Sequence, residues 1–397
     1  MNCYRAMHCS IFIVSVLTST VVGYKYVDYN IHGTVTPGWE FVRDLFRDNF
    51  VQDRDLGASV AVYHQGKLVV GLSGGWFDQS RAKPYDDNAL QVVFSTSKGL
   101  VAAAVALAVQ RGLLDYSALV TRYWPEYGQY GKENTTVGDI LSHRAGLPDV
   151  AVPFEQYMNW TAMIHTLEDQ SPSWPPGSAH SYHPLTYGWL AGELVRRVDP
   201  KKRSFGQFIH DEISTPSIVE FYIGLPSTQE HRVSPLELNQ ISKEIMNDSI
   251  TASIYSFNEP RLHQVEIPAV NGITNAWSLA RFYSSLIGDL DHGKYKRVLN
   301  EDIMKLATKL NMPDGELDLV SQAHLPFGMG FMLFDKMLPR LGSGSFGHFG
   351  AGGSIGLAVP SQNISFAYVL NRLDITVAGL DPRIEPILTK LADVINK

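Results

Sequence analysis

The sequence predicts an α/β (α+β) fold: an antiparallel sheet formed by N- and C-terminal segments, flanked by helices, with a mostly helical region inserted between them. Three observations predict it. Strand-like runs crowd both ends of the 397-residue chain. The stretch from about 100 to 315 reads as helices separated by Pro- and Gly-rich breaks. No linker of disordered composition divides the chain, and no internal repeat is present, so one sheet closed by the two termini accounts for the pattern.

The elements follow in chain order. Residues 1–23 are read as a leader: Ile11 to Gly23 is an apolar run of 13 residues after a segment carrying Arg5. A spanning helix wants about 20 apolar residues, so a cleaved signal peptide fits better, with an uncleaved membrane anchor as the alternative. The expected location is therefore secreted or anchored. Residues 24–35 read as a linker. Thr36 to Arg54 looks like an amphipathic helix with Pro37 near its start. Residues 56–78 hold two apolar runs around His64-Gln65-Gly66-Lys67, a hairpin pattern. "LQVVF" (90–94) reads as a short strand, and helical patterns follow at 101–114, 137–143, 187–198 and 276–290. Strand character returns at 328–335, 353–360 and 364–371, and "IEPILTKLADVINK" closes the chain as a helix.

Composition narrows the function. Hydrophobic residues make up 45% and charged residues 18%, enough for a sizeable core, and the formal net charge is −7. The short run Lys201-Lys202-Arg203 fits a solvated turn, so no nucleic-acid partner is expected. Both cysteines, Cys3 and Cys9, fall in the leader; its removal would leave no thiol for catalysis, disulfides or metal. No metal or other cofactor is expected. Asn134, Asn159, Asn247 and Asn363 head Asn-X-Ser/Thr sequons, which become glycosylation candidates on a secretory route.

"FSTSKGLVAAAVAL" (94–107) carries the chemistry. A Ser-x-x-Lys match alone arises by chance, as Ser80-Arg81-Ala82-Lys83 does in a polar loop. Ser95 and Lys98 differ in their surroundings: a strand-like run precedes them and an apolar helix follows. Three residues apart, they share a helix face. A nearly all-apolar helix is buried, so the Lys98 amine should lose its proton readily and could accept one from Ser95. The helix start offers free N–H groups for a developing oxyanion. A capping serine beside a surface lysine is the bland alternative.

Four further segments resolve this: "LSHRAGLP" (141–148), "PPGSAHSYHPLTYGWLAGELVRRVD" (175–199), "NGITNAWSLARFYSSL" (271–286) and "GHFGAGGSIGLAVP" (347–360). Together with Ser95-x-x-Lys98 they resemble the serine β-lactamase-like superfamily. The similar branches are class C β-lactamases, family VIII carboxylesterases and DD-peptidase-like hydrolases. The resemblance runs from about residue 38 to the C-terminus, and it implies a β-lactamase/transpeptidase-like fold. It implies Ser95 as the acylated nucleophile, Lys98 as its proton partner and Tyr182, after a Pro-Gly turn, as the motif tyrosine. Tyr157-Met158-Asn159 matches the family's Tyr-x-Asn but lacks that turn. His348-Phe349-Gly350 stands where many members have Lys-Thr-Gly, giving His348, Gly350 and Ala351 as substrate-binding residues. The N–H groups of Ser95 and Ala351 would form the oxyanion hole. His143 is expected to serve packing or turn hydrogen bonding, and Trp174 and Trp277 the core.

Two departures steer the substrate expectation. Pro184 replaces the asparagine of the tyrosine motif, and the Lys-Thr-Gly lysine is missing. Both weaken recognition of a β-lactam or a D-Ala-D-Ala peptide, while ester hydrolysis needs neither. A serine hydrolase with carboxylesterase-like activity on a small ester or amide substrate is the leading expectation. D-Amino-acid amide or peptide hydrolysis, β-lactamase-like activity, and a catalytically weak scaffold of the same fold are the alternatives. The helical region from 200 to 270 is expected to shape the pocket.

Overall fold

The computed structural model describes residues 28–377 and 380–395. The leader at 1–23, with Cys3 and Cys9, lies outside the described residues, as does the first part of the 24–35 segment. No helix among the described residues is long and apolar enough to cross a membrane.

Seven strands build the main sheet: β1 (His32–Val35), β2 (Gly57–His64), β3 (Lys67–Gly75), β4 (Met332–Leu333), β5 (Phe346–Phe349), β6 (Ile355–Val359) and β7 (Ile364–Leu370). Their order is β1-β3-β2-β7-β6-β5-β4, antiparallel throughout. The two ends of the chain meet at β2 and β7, where Ala58 faces Leu370 and His64 faces Ile364. The β2–β3 turn has positive φ at both Gln65 (52°) and Gly66 (72°), the pair that matches the twist of a tight hairpin.

Three expectations are corrected. Residues 32–35, read as linker, form the edge strand β1. Gly33 makes this possible, because a Cβ there would lie 2.0 Å from the Gly71 carbonyl oxygen. Of 328–335 only Met332–Leu333 is strand; Phe334–Met337 already turns as a short helix. Gln91–Val92 of the 90–94 run pairs with Ile273–Thr274 in a separate three-stranded sheet, not with the main one.

The helices that pack on the main sheet or within the inserted region include α1 (Glu40–Val51), α2 (Lys98–Gln110), α3 (Thr186–Val198), α4 (Ala276–Ile287) and α5 (Glu385–Ile395). Side chains alternate across a strand, so Tyr368 and Ser365 of β7 face opposite sides. Tyr368 meets Phe46 of α1 edge-on at 5.8 Å. The Ser365 hydroxyl donates to the Ala280 carbonyl of α4 at 2.7 Å. Helix α2 is buried all round from Lys98 to Ala108 and forms the centre of the inserted region.

Candidate active site

Ser95 sits in a 3-10 turn, Phe94–Ser97, that runs directly into α2. Phe94 before it has φ +44°, a strained conformation for a bulky side chain. The surroundings hold that strain. The Ser97 hydroxyl donates to the Phe94 carbonyl at 2.5 Å and accepts the Gly272 N–H at 2.9 Å. The Phe94 ring packs edge-on against Phe257 at 5.3 Å. Ser95 is thereby turned out at the helix start, half-buried, on the wall of a cavity.

Lys98 is fully buried one turn further on. Its Nζ lies 3.1 Å from Ser95 Oγ, 2.8 Å from the Pro184 carbonyl and 3.1 Å from the Ala269 carbonyl. Burial holds the amine well below the usual lysine value. A neutral amine has two N–H bonds and one lone pair. The two carbonyls take the N–H bonds, which leaves the lone pair for the Ser95 hydroxyl.

Tyr182 completes the group. Its hydroxyl faces Ser95; burial pushes the phenol up, and the Ser95 hydroxyl offsets part of the rise. Lys98 Nζ stands 4.8 Å from the ring centre. The Tyr182 backbone N–H donates to Asp318 Oδ2 at 2.6 Å. Burial alone would raise the Asp318 carboxyl, but N–H groups of Ser321, Tyr182 and Val320 outweigh it and keep the group ionised. The ring lies against His143 at 4.8 Å and Phe327 at 6.2 Å. His143 has φ +60° and accepts the His183 N–H on Nδ1 at 3.1 Å, so its role is the packing and turn bonding expected.

His348 is displaced from its expected role. It is fully buried beside Tyr182 (6.1 Å between rings) and does not line the cavity. Its Nδ1 is 2.7 Å from the Phe349 carbonyl. Burial, with the nearby Lys98, pushes it down to about 3, so it stays neutral and cannot receive a substrate carboxylate. Gly350 and Ala351, by contrast, line the cavity with Ser95 and Tyr182. A Cβ on Gly350 would lie 2.2 Å from the Val93 carbonyl oxygen and 2.9 Å from Thr96 Oγ1. Glycine there lets the end of β5 close on the nucleophile's turn.

The rejected matches stand apart. Tyr157 donates to the Val150 carbonyl at 3.2 Å and stacks on Trp189. Ser80 and Lys83 occupy an exposed loop. Trp174 and Trp277 are half-buried and absent from the cavity wall. All four sequon asparagines are exposed.

The cavity holds about 460 Å³. Its walls come from residues within 325–338, from Asp374, Ile375 and Val377, and from Leu380, Asp381 and Ile384, with Phe349, the 350–353 loop and Ile355. None of its lining belongs to 200–270, contrary to expectation. That region supports the site from behind instead: Phe257 packs on Phe94 at 5.3 Å and the Ala269 carbonyl accepts from Lys98 at 3.1 Å. Sequence reasoning also missed the carbonyls of Pro184 and Ala269 and the carboxylate of Asp318. The first two are main-chain groups with no letter of their own, and Asp318 lies in a polar loop without a motif.

Comparison with known proteins bears on the family and the fold. The Beta-lactamase family model matches residues 42–385. The esterase/beta-lactamase LipL of Mycobacterium tuberculosis is 29% identical over 370 residues, covering 86% of this chain and 83% of that protein. A family VIII carboxylesterase of known structure superposes with a TM-score of 0.82 at 30% identity, over 92% of this chain and 99% of its own. A penicillin-binding protein homolog from Caulobacter crescentus gives 0.79 at 33%, with the same coverage.

Proposed function

This chain belongs to the Beta-lactamase family, and we propose that it hydrolyses carboxylic esters through an acyl-enzyme on Ser95. The observation that carries the proposal is the buried Lys98 amine 3.1 Å from Ser95 Oγ, with the half-buried Tyr182 beside both on the same cavity wall. In the scheme, Lys98 takes the Ser95 proton as Oγ attacks the acyl carbon. The N–H groups of Ser95 and Ala351 hold the oxyanion. Tyr182, kept protonated by burial, passes a proton to the leaving group and regains one from the neighbouring Lys98 ammonium. Water then releases the acid and restores Ser95.

Ester over β-lactam or peptide is favoured by what is missing. The Lys-Thr-Gly lysine is absent, and His348 is neutral and walled off. Pro184 offers its carbonyl to Lys98 instead of an amide to substrate. The similarity to a family VIII carboxylesterase points the same way, while LipL, an esterase/beta-lactamase, is compatible with either. Turnover of p-nitrophenyl butyrate by wild type and Ser95→Ala tests the reading: the variant should fall to background, and equal rates would refute it. A secretory route remains part of the proposal, supported by the exposure of Asn134, Asn159, Asn247 and Asn363. A glycosidase-sensitive mass shift in protein secreted from eukaryotic cells checks it; unmodified protein at the predicted mass would count against it.

A further inference from the structure

We infer that the cavity beside Ser95 takes the uncharged alkyl chain of its ester, an inference that rests on the hydrolase reading for its chemistry but on the cavity for its specificity. A volume of about 460 Å³ is far more than a reacting acetyl group needs and falls within the about 300–1,000 Å³ usual for small-molecule sites. Met332, Phe334, Met337, Leu338, Ile375 and Leu380 give it an apolar lining. Ser95, Tyr182 and the glycine loop 350–353 line the same cavity, so a scissile carbonyl held at Ser95 has apolar walls within reach of its chain.

The charges in the lining argue against an acidic substrate. No lysine, arginine or histidine lines the cavity among the described residues. The two ionisable side chains are Asp374 and Asp381. Asp381 is engaged by Arg383 at 2.6 Å, and Asp374 accepts from the Thr376 hydroxyl at 2.6 Å and N–H at 3.0 Å. A substrate carboxylate entering here would meet the Asp374 carboxylate and no cation in the lining, the Arg383 beside it being taken by Asp381, whereas an alkyl chain loses nothing by leaving water. The two methionines are unbranched and polarizable, which suits chains of differing length.

The chain could sit on the acyl or the alcohol side of the ester, and two substrate series separate these. One series is p-nitrophenyl acetate through octanoate; the other is ethyl through octyl acetate. In one of them kcat/KM should climb with length, by up to about fourfold per methylene. Met337→Asp, a half-buried wall position, should lower the octanoate-to-acetate (or octyl-to-ethyl) ratio by tenfold or more. Binding without turnover is the second readout: Ser95→Ala protein should bind ethyl octanoate or octyl acetate at least tenfold more tightly than ethyl acetate. Flat or falling profiles in both series, or equal binding of long and short esters by Ser95→Ala, overturn the inference. Failure of wild type to cleave any ester refutes the hydrolase reading instead, and the binding comparison then decides the cavity's preference by itself.

Discussion

Adding one methyl group at Gly350 should cost most of the activity while leaving the protein folded. The new Cβ would lie 2.2 Å from the Val93 carbonyl oxygen and 2.9 Å from Thr96 Oγ1. Neither neighbour is free to yield. The Val93 carbonyl accepts the Thr96 N–H at 3.2 Å, and Thr96 Oγ1 donates to the Ser354 carbonyl at 3.0 Å. Ordinary van der Waals contact begins at 3.4 Å, so the end of β5 must retreat by about an ångström, a displacement that can cost about 100-fold in rate. Ala351 retreats with it, and losing one oxyanion donor costs about 100- to 1,000-fold, or roughly 2.7–4 kcal/mol of transition-state stabilisation. Overpacking should lower stability by only about 1–3 kcal/mol. The assay is kcat and KM on p-nitrophenyl butyrate, with a urea unfolding curve as the folding control. The loss should fall on kcat, since the donor matters most in the transition state. A folded Gly350→Ala enzyme with kcat within a few-fold of wild type would refute the assignment of this loop to the oxyanion.

Other outcomes follow from the same geometry. In the proposed scheme Lys98 acts in its neutral form, and burial lowers its pKa, so kcat/KM should rise with pH well below the usual lysine value of about 10.4, and Lys98→Met should abolish that rise. Stability should fall in acid: burial depresses His183 to about 4 and His348 to about 3, below the unfolded value, so the unfolded chain binds the extra protons. The stability they supply is complete above about pH 6.5 and is lost as pH drops towards 4 and 3; for His183 it amounts to about 3 kcal/mol, readable in urea midpoints against His183→Gln. Arg383→Met should destabilise the protein by about 3–5 kcal/mol in the same assay, because it strands the buried Asp55 and Asp381 and frees the Gly352 carbonyl that Arg383 holds at 2.6 Å.

How legible each part was depended on whether side chains or main chain carried it. The Ser95–Lys98 pair could be read because an all-apolar helix around a lysine forces its burial, and α2 is buried as that pattern demands. The strands 57–64 and 364–370 carry long apolar, β-branched runs, and those two join the termini. Met332–Leu333 is too short to distinguish from its loop. The chain order of His348 was readable, but not its depth: a histidine before a Gly-rich strand looks the same whether its ring faces the cleft or the core. The third member of the tyrosine motif acts through a carbonyl, so Pro184 could be noted as a loss of side-chain amide but not as an acceptor for Lys98. The cavity walls, assembled from segments about 50 residues apart in sequence, leave no local pattern.

The most direct test of the acyl-enzyme is covalent: treat the folded protein with a fluorophosphonate and map the adduct by mass spectrometry. The account predicts one adduct, on Ser95, formed at least about 100-fold more slowly in Lys98→Met. Modification at a different residue, or labelling of Ser95 at an unchanged rate without the Lys98 amine, would contradict it.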